Sequence, residues 1–286
     1  MYKLLITADQ LHHLQAQGTP CAVLDCSFDL MKPDLADGLF DAEHIPGAWH
    51  AHLDRNLSTI NASESVNGGR HPLPKRELVA LWLGSLGIHN GMQIVVYDQN
   101  KGFYCGRLWW MLKWLGHEAV AVLDGGLQAW KDTGGALDSG PPTTLPTAAI
   151  FGLKAPLRKL VLAEAVSNRL GRPEQTIVDA RAGARYRGEI EPLDPVAGHI
   201  PGALNRPFTE NFTEDGHFKS PEVLKTEWHQ VLAGRPADSV VHHCGSGVTA
   251  VPNLLAMELA GFGPTALYAG SWSEWCNTPG LPCAKG

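Results

Sequence analysis

His44-Ile45-Pro46-Gly47-Ala48 and His199-Ile200-Pro201-Gly202-Ala203 are one five-residue phrase written twice, 155 positions apart. Downstream, an offset of 145 sets Val95-Val96 on Val240-Val241 and continues through Gly102/Gly247, Gly116/Gly261, Gly125/Gly270, Trp130/Trp275, Thr133/Thr278 and Gly135/Gly280. Two copies are too few for a solenoid, which needs roughly three stacked units to bury a core, so the pattern reads as a duplicated globular domain. Each copy repeats the same order. An apolar strand ends in an acid (Ala22-Val23-Leu24-Asp25; Thr176-Ile177-Val178-Asp179). The shared turn and a second short strand follow, then a helix (75–84; 221–232), the Val-Val strand, a loop and a long helix. A last strand (119–123; 265–268) leads through a glycine turn into a Trp-bearing helix. Strands alternating with helices imply an α/β fold, each domain a mainly parallel sheet flanked by helices. The connector 136–156 holds Pro141, Pro142, Pro146 and Pro156, which disfavours helix and suits an extended tether. The expected division is a first domain over 1–138, a linker over 139–156 and a second domain over 157–286.

Composition narrows the function classes. A chain of 286 residues is long for one core, so two domains are the natural reading. The formal net charge of -6 argues against nucleic acid or an anionic membrane as partner, and leaves a small anionic ligand open. The first ten residues meet polar side chains at once, and no run approaches ~18 apolar residues, so neither a signal peptide nor a membrane span is expected. Six cysteines are too sparse for a disulfide scaffold and point to a reducing, cytoplasmic setting. His242-His243-Cys244 lie on a strand and face alternate sides, so no metal and no cofactor is expected. Trp109, Trp110 and Trp114 on the long helix read as packing residues rather than a cofactor platform.

The chemistry concentrates in Val240-Val241-His242-His243-Cys244-Gly245-Ser246-Gly247-Val248-Thr249-Ala250. A strand delivers a cysteine into a small-residue loop, and a helix begins near Val248. Gly245, Gly247, Val248 and Thr249 turn backbone N–H groups toward the sulfur, and the helix adds the positive end of its dipole. Such settings lower a cysteine pKa from ~8.5 into the range of roughly 3.5–7.5, which makes Cys244 a nucleophile. At the offset of 145, Cys244 falls on Gln99, which cannot accept a labile group, so the first copy is expected to be catalytically silent at its own loop.

Tandem α/β domains, the paired His-Ile-Pro-Gly-Ala turns and one cysteine loop in the second copy resemble the two-domain rhodaneses, over nearly the whole chain. The resemblance implies two tandem rhodanese-like domains, the first non-catalytic and the second catalytic. Within that superfamily, Cys244-Gly245-Ser246-Gly247-Val248-Thr249 is similar to the loop of the 3-mercaptopyruvate sulfurtransferases. Thiosulfate-specific relatives usually carry Arg and Lys where Gly245 and Ser246 stand. The implied chemistry is ping-pong: Cys244 takes sulfur from a small anionic donor as a persulfide, then yields it to a thiol, thioredoxin or cyanide. Arg185 matches the family arginine that binds the donor, its fork suited to a carboxylate or sulfonate, and Arg187 is a second candidate. Ser246, with His71 in Gly69-Arg70-His71-Pro72 and Asp54 from the first domain, matches the subgroup's proton relay. One position departs from the subgroup. Where relatives carry a second substrate arginine in a Glu-Pro-Arg run, this chain has Glu191-Pro192-Leu193, with Arg187 or Arg206 as compensating cations.

A tyrosine-phosphatase reading fails, because that chemistry needs an arginine six positions after the cysteine and Ala250 stands there. Thiosulfate transfer, a non-catalytic binding module, and a sulfur carrier serving a protein acceptor remain as alternatives to the mercaptopyruvate enzyme.

Overall fold

The computed structural model describes residues 1–142 and 146–286; residues 143–145, inside the proline-rich connector, lie outside the described residues. The chain forms two compact units. The first comprises Met1–Thr59, Pro74–Leu157 and Glu214–His217; the second comprises Ile60–Leu73, Arg158–Thr213 and Phe218–Gly286.

In the first unit, β1 (Leu5–Ile6), β2 (Cys21–Asp25), β3 (Trp49–His50), β4 (Gln93–Tyr97) and β5 (Val120–Leu123) form one sheet in the order β1-β5-β4-β2-β3. In the second, β6 (Lys159–Leu160), β7 (Thr176–Asp179), β8 (Leu204–Asn205), β9 (Val240–His243) and β10 (Ala266–Leu267) repeat it as β6-β10-β9-β7-β8. Every pairing between these ten strands is parallel. Parallel strands need long crossovers, which helices supply, so the expected α/β architecture is the one found. β4 and β9 sit centrally and are buried at every position; β4 accordingly carries the apolar run Ile94-Val95-Val96, while β9 follows Val240-Val241 with two buried histidines.

Local chemistry sets the element ends. Helix Ala8–Ala16 starts at a capping box in which Thr7 and Gln10 bond each other's backbone N–H. Helix Pro221–Leu232 begins on Ser220, whose hydroxyl accepts the Val223 N–H, with proline at the first helical position. The helix expected over 75–84 is Arg76–Ser85. In both shared turns the fourth-residue N–H bonds the isoleucine carbonyl at 3.0 Å, and the glycines sit at φ 75 and 77. This is a type II pattern: proline presets the first central position and glycine supplies the positive φ of the second.

Two cores result. One gathers Leu11, Val23, Phe40, Ile45, Val95 and Trp130; the other gathers Val166, Ile177, Ile200, Val241, Trp272 and Trp275. Trp109 and Trp110 are fully buried, Trp110 stacks on Trp114 at 5.7 Å, and Trp109 donates to the Lys3 carbonyl at 3.0 Å, so this trio packs. The connector is not a loose tether where it is described. Ala149 and Lys154 donate N–H bonds to the Gly84 and Leu115 carbonyls, the Asn90 side chain bonds Gly152 both ways, and Phe151 is buried.

The sheet registers correct the alignment of the two loops. Asp25 pairs with Tyr97 across β2 and β4, and Asp179 pairs with His243 across β7 and β9. The backbone agrees: Tyr97 and His243 carbonyls accept from Cys26 and Ala180, and Asp98 and Cys244 carbonyls accept from Leu127 and Trp272. The counterpart of Cys244 is therefore Asp98, not Gln99. The first loop carries one extra residue before Gly102, so an ungapped offset slips by one on the strand. The first copy still presents no thiol there.

Asp25 and Asp179 end equivalent strands in different surroundings. Burial, helped by the charge of Asp98, pushes the Asp25 carboxyl up from 3.8 to about 6 despite its bonds with Ser27. Between those pH values the folded chain keeps a proton that the unfolded chain has lost. Stability therefore falls as pH rises through that window, and the ionised carboxylate costs about 3 kcal/mol at neutral pH. Asp25→Asn is expected to strengthen the first unit against urea near pH 8, with the gain vanishing below about pH 3.5. An equal gain at both pH values would contradict this assignment.

Candidate active site

β9 ends one residue before Cys244, and the start of helix Ser271–Trp275 grips the loop. Cys244 donates its N–H to Ser271 Oγ at 3.1 Å, its carbonyl accepts the Trp272 N–H at 3.0 Å, and the Gly245 carbonyl accepts the Ser273 N–H at 2.9 Å. Ser271 sits at φ 57, a left-handed conformation costly for a side chain, where its counterpart in the first unit is Gly126 at φ 60. Its hydroxyl bridges Cys244 to the Tyr268 carbonyl (3.0 Å), a bond that glycine could not make. Gly247, at φ 74, is required for a second reason: a Cβ there would overlap the Ala269 carbonyl oxygen. The following helix starts at Val251, after a turn over 248–250, slightly later than expected.

The first unit displays what such a loop binds. There the Asp98 carboxylate, at the cysteine's position, accepts the N–H groups of Asn100, Gly102 and Tyr104 at 2.8 Å and of Cys105 at 2.9 Å. Its loop is an anion cradle filled by its own acid. In the second unit a buried cysteine replaces that acid, and among the described residues no protein acceptor takes the N–H groups of Ser246, Thr249 or Ala250. Loop amides aimed at one point stabilise negative charge there.

His71 reaches Ser246: its Nδ1 lies 2.7 Å from Ser246 Oγ. The segment Ile60–Leu73 that carries His71 belongs to the second unit, although it lies in the sequence of the first copy. Gly68 N–H bonds Glu274 Oε1 (2.7 Å) and Arg70 N–H bonds Ser273 Oγ (3.0 Å), which fixes the segment beside the loop. Asp54 belongs to the first unit, where its N–H is within 3.1 Å of His52 Nδ1 and partial burial raises its carboxyl.

Three cations and three acids alternate beside Cys244. Arg181 bonds both Asp179 oxygens through Nε (3.1 Å), bonds the Gly198 carbonyl (2.6 Å), approaches Glu191 (3.3 Å) and lies over Trp272. Burial opposes its charge, but Asp179, Glu191 and the Cys244 sulfur outweigh that and leave it raised. Burial would raise Asp179 too, yet His243 and Arg181 hold it below its ordinary value, unlike Asp25. Arg185 bonds Glu191 Oε1 at 2.6 Å and lies 3.5 Å from Asp194, which in turn accepts from Arg70 at 2.7 Å. A methyl group on Gly245 would sit 3.3 Å from Arg70 Nη2 and 3.5 Å from Arg185 Nη1. Arg187 pairs with Glu189 at the surface, and Arg206 is engaged by Glu210 and Glu227.

Among the described residues, no group of three or more His, Cys, Asp or Glu is placed to hold a metal ion. His242 is buried, which lowers it to about 3 and keeps it neutral against Trp228. Arg70 and Arg181 escaped the sequence reading. Both had a signal: Arg70 precedes His71, and Arg181 replaces Ser27 two residues after the matching acid.

Comparison with known proteins agrees with this geometry. The rhodanese-like domain family matches residues 7–133 and 162–278. A Pseudomonas aeruginosa protein named "Probable 3-mercaptopyruvate sulfurtransferase" is 45% identical over 283 residues, covering 99% of this chain and 98% of its own. The Cricetulus griseus thiosulfate sulfurtransferase is 38% identical, covering 90% of this chain and 86% of its own. Among solved structures, SseA from Escherichia coli, titled as a 3-mercaptopyruvate sulfotransferase with a rhodanese fold, superposes at TM-score 0.78 and 30% identity, covering 96% of this chain and 100% of its own. The Leishmania major 3-mercaptopyruvate sulfurtransferase superposes at TM-score 0.84 and 30% identity, covering 98% of this chain and 76% of its own. Two parallel sheets built to one plan, with a single cysteine-bearing cradle in the second, thus place this chain in the two-domain rhodanese superfamily of sulfurtransferases.

Proposed function

We propose that the protein transfers sulfur from 3-mercaptopyruvate to a thiol, thioredoxin or cyanide through a persulfide on Cys244. The observation that carries this reading is the exchange of Asp98 for Cys244 in matching loops: a site that binds a carboxylate in one unit presents a sulfur in the other. Ser246 and His71, 2.7 Å apart, take the thiol proton. The neutral imidazole is the base, and Asp54 is the carboxylate that the family pattern adds to this pair. Arg185 holds the donor's carboxylate. The Cys244 thiolate then attacks the donor sulfur. A sulfur–sulfur bond forms, the carbon–sulfur bond breaks, and its electron pair leaves on the pyruvate carbon, which takes up a proton. In the second half-reaction the acceptor thiolate attacks the outer sulfur and restores the Cys244 thiolate. Cys244 is not in a disulfide, as transfer through its sulfur requires.

The mercaptopyruvate donor fits Gly245, since a longer side chain there would push into the guanidiniums of Arg70 and Arg185. Thiosulfate is the competing donor, because Leu193 stands where relatives carry a second arginine.

Incubating the reduced protein with either donor and recording intact mass is expected to show one added sulfur, formed faster from 3-mercaptopyruvate and absent from Cys244→Ser. Faster loading from thiosulfate would reverse the donor assignment, and loading of Cys244→Ser would refute the nucleophile. Gly247→Ala is expected to slow loading at least tenfold by forcing the loop off Ala269, while the far-UV spectrum stays unchanged. Wild-type loading rates in that variant would show that the cradle does not contribute.

A further inference from the structure

We propose that Arg70 supplies the second guanidinium for the donor's anionic group, in place of the arginine missing at Leu193. Arg70 lies on the segment Ile60–Leu73, far in sequence from both Arg185 and the cysteine loop, yet inside the same compact unit. Its guanidinium is aimed rather than loose. Nη1 donates to Asp194 Oδ1 at 2.7 Å, and that acid's side chain is only 3% exposed. Asp194 immediately follows Leu193 in sequence, so the acid that holds this cation is the neighbour of the missing arginine's position.

Two free nitrogens then meet at one point. Among the described residues, Arg70 Nη2 and Arg185 Nη1 have no protein acceptor, because Asp194 and Glu191 engage the other sides of the two forks. Both lie within 3.5 Å of the place a Gly245 methyl would occupy, next to the nucleophile. Two converging N–H edges of separate guanidiniums form a clamp for a carboxylate, whose two oxygens accept from both. The acids that orient the forks cannot fill the clamp, since each is already bonded on its far side.

The alternative cations are committed elsewhere. Arg206 is bonded to the Glu210 carbonyl and to Glu227, beneath Trp228. Both Nε and Nη2 of Arg187 are held by Glu189. Arg70's backbone placement does not depend on its side chain. Its N–H bonds Ser273 Oγ, and Ser273's own N–H bonds the Gly245 carbonyl, so a substitution at Arg70 removes the cation and keeps the anchor.

This inference rests on the mercaptopyruvate reading, in which the anionic group is a carboxylate. The test is steady-state kinetics of Arg70→Gln, Arg70→Lys and the double variant Arg70→Gln/Leu193→Arg, with both donors. Arg70→Gln is expected to raise the KM for 3-mercaptopyruvate about ten- to a hundredfold with kcat little changed, the signature of lost donor binding. Arg70→Lys, which keeps the charge without the fork, should fall between Arg70→Gln and wild type. Leu193→Arg should restore the KM of Arg70→Gln by returning a cation from the neighbouring position. A wild-type KM in Arg70→Gln, or a fall in kcat at constant KM, would overturn the proposal. If the wild-type protein uses thiosulfate and not mercaptopyruvate, the donor reading fails, and the same split in the thiosulfate KM decides the role of Arg70.

Discussion

A loop at the carboxyl end of the central parallel strand is the constraint around which both units are organised, and in the first it is closed by backbone amides on the Asp98 carboxylate. Ligands of open α/β sheets sit at the carboxyl ends of the strands, where loops leave N–H groups unspent. Each unit leads its central strand into such a loop. In the first, Asp98 accepts four loop amides and closes the site on itself. In the second, the same place holds a sulfur that can become an anion by losing a proton and can accept another sulfur atom. The exchange of Asp98 for Cys244 and a loop shortened by one residue, together with Ser271 for Gly126 and Arg181 for Ser27, distinguish the second loop from the first.

The neighbouring charges follow from that difference. Where the first unit has Ser27, the second has Arg181, so Asp179 is balanced by a guanidinium while Asp25 is left to burial and pushed up to about 6. Arg181, Glu191, Arg185, Asp194 and Arg70 continue as alternating signs around the cysteine loop. Breaking one member of a buried pair exposes the other to an uncompensated desolvation cost, so the chain of pairs acts as one unit. Arg181 is bonded at every nitrogen of its guanidinium. Asp194 and Glu191 engage Arg70 and Arg185 from one side only, and Arg70 Nη2 and Arg185 Nη1 lie within 3.5 Å of the place a Gly245 Cβ would occupy.

Much of the architecture was legible because it depends on local rules. The Ile-Pro-Gly-Ala turns, Pro221 at a helix start, the acid-ended strands and the cysteine in its glycine loop carry their meaning within a few residues. Less legible was the loop alignment, since valines upstream and glycines downstream matched at one offset across a one-residue insertion and concealed it. Arg70 and Arg181 were also missed. A lone arginine in sequence is indistinguishable from a solvated surface charge until a partner is placed beside it.

Periodicity, turn chemistry and repeat spacing are short-range properties, so the sequence by itself determined that two like parallel-sheet domains form and that only the second has a cysteine directly after its central strand. The tertiary structure decided which acid stands opposite that thiol in the first unit, because strand pairing fixes register where counting along the chain does not. It also decided that His71 and Arg70, more than 170 residues from Cys244 in sequence, pack in its unit. Hydrogen bonds and charge pairs act over a few ångströms of space, and only the folded chain sets those distances.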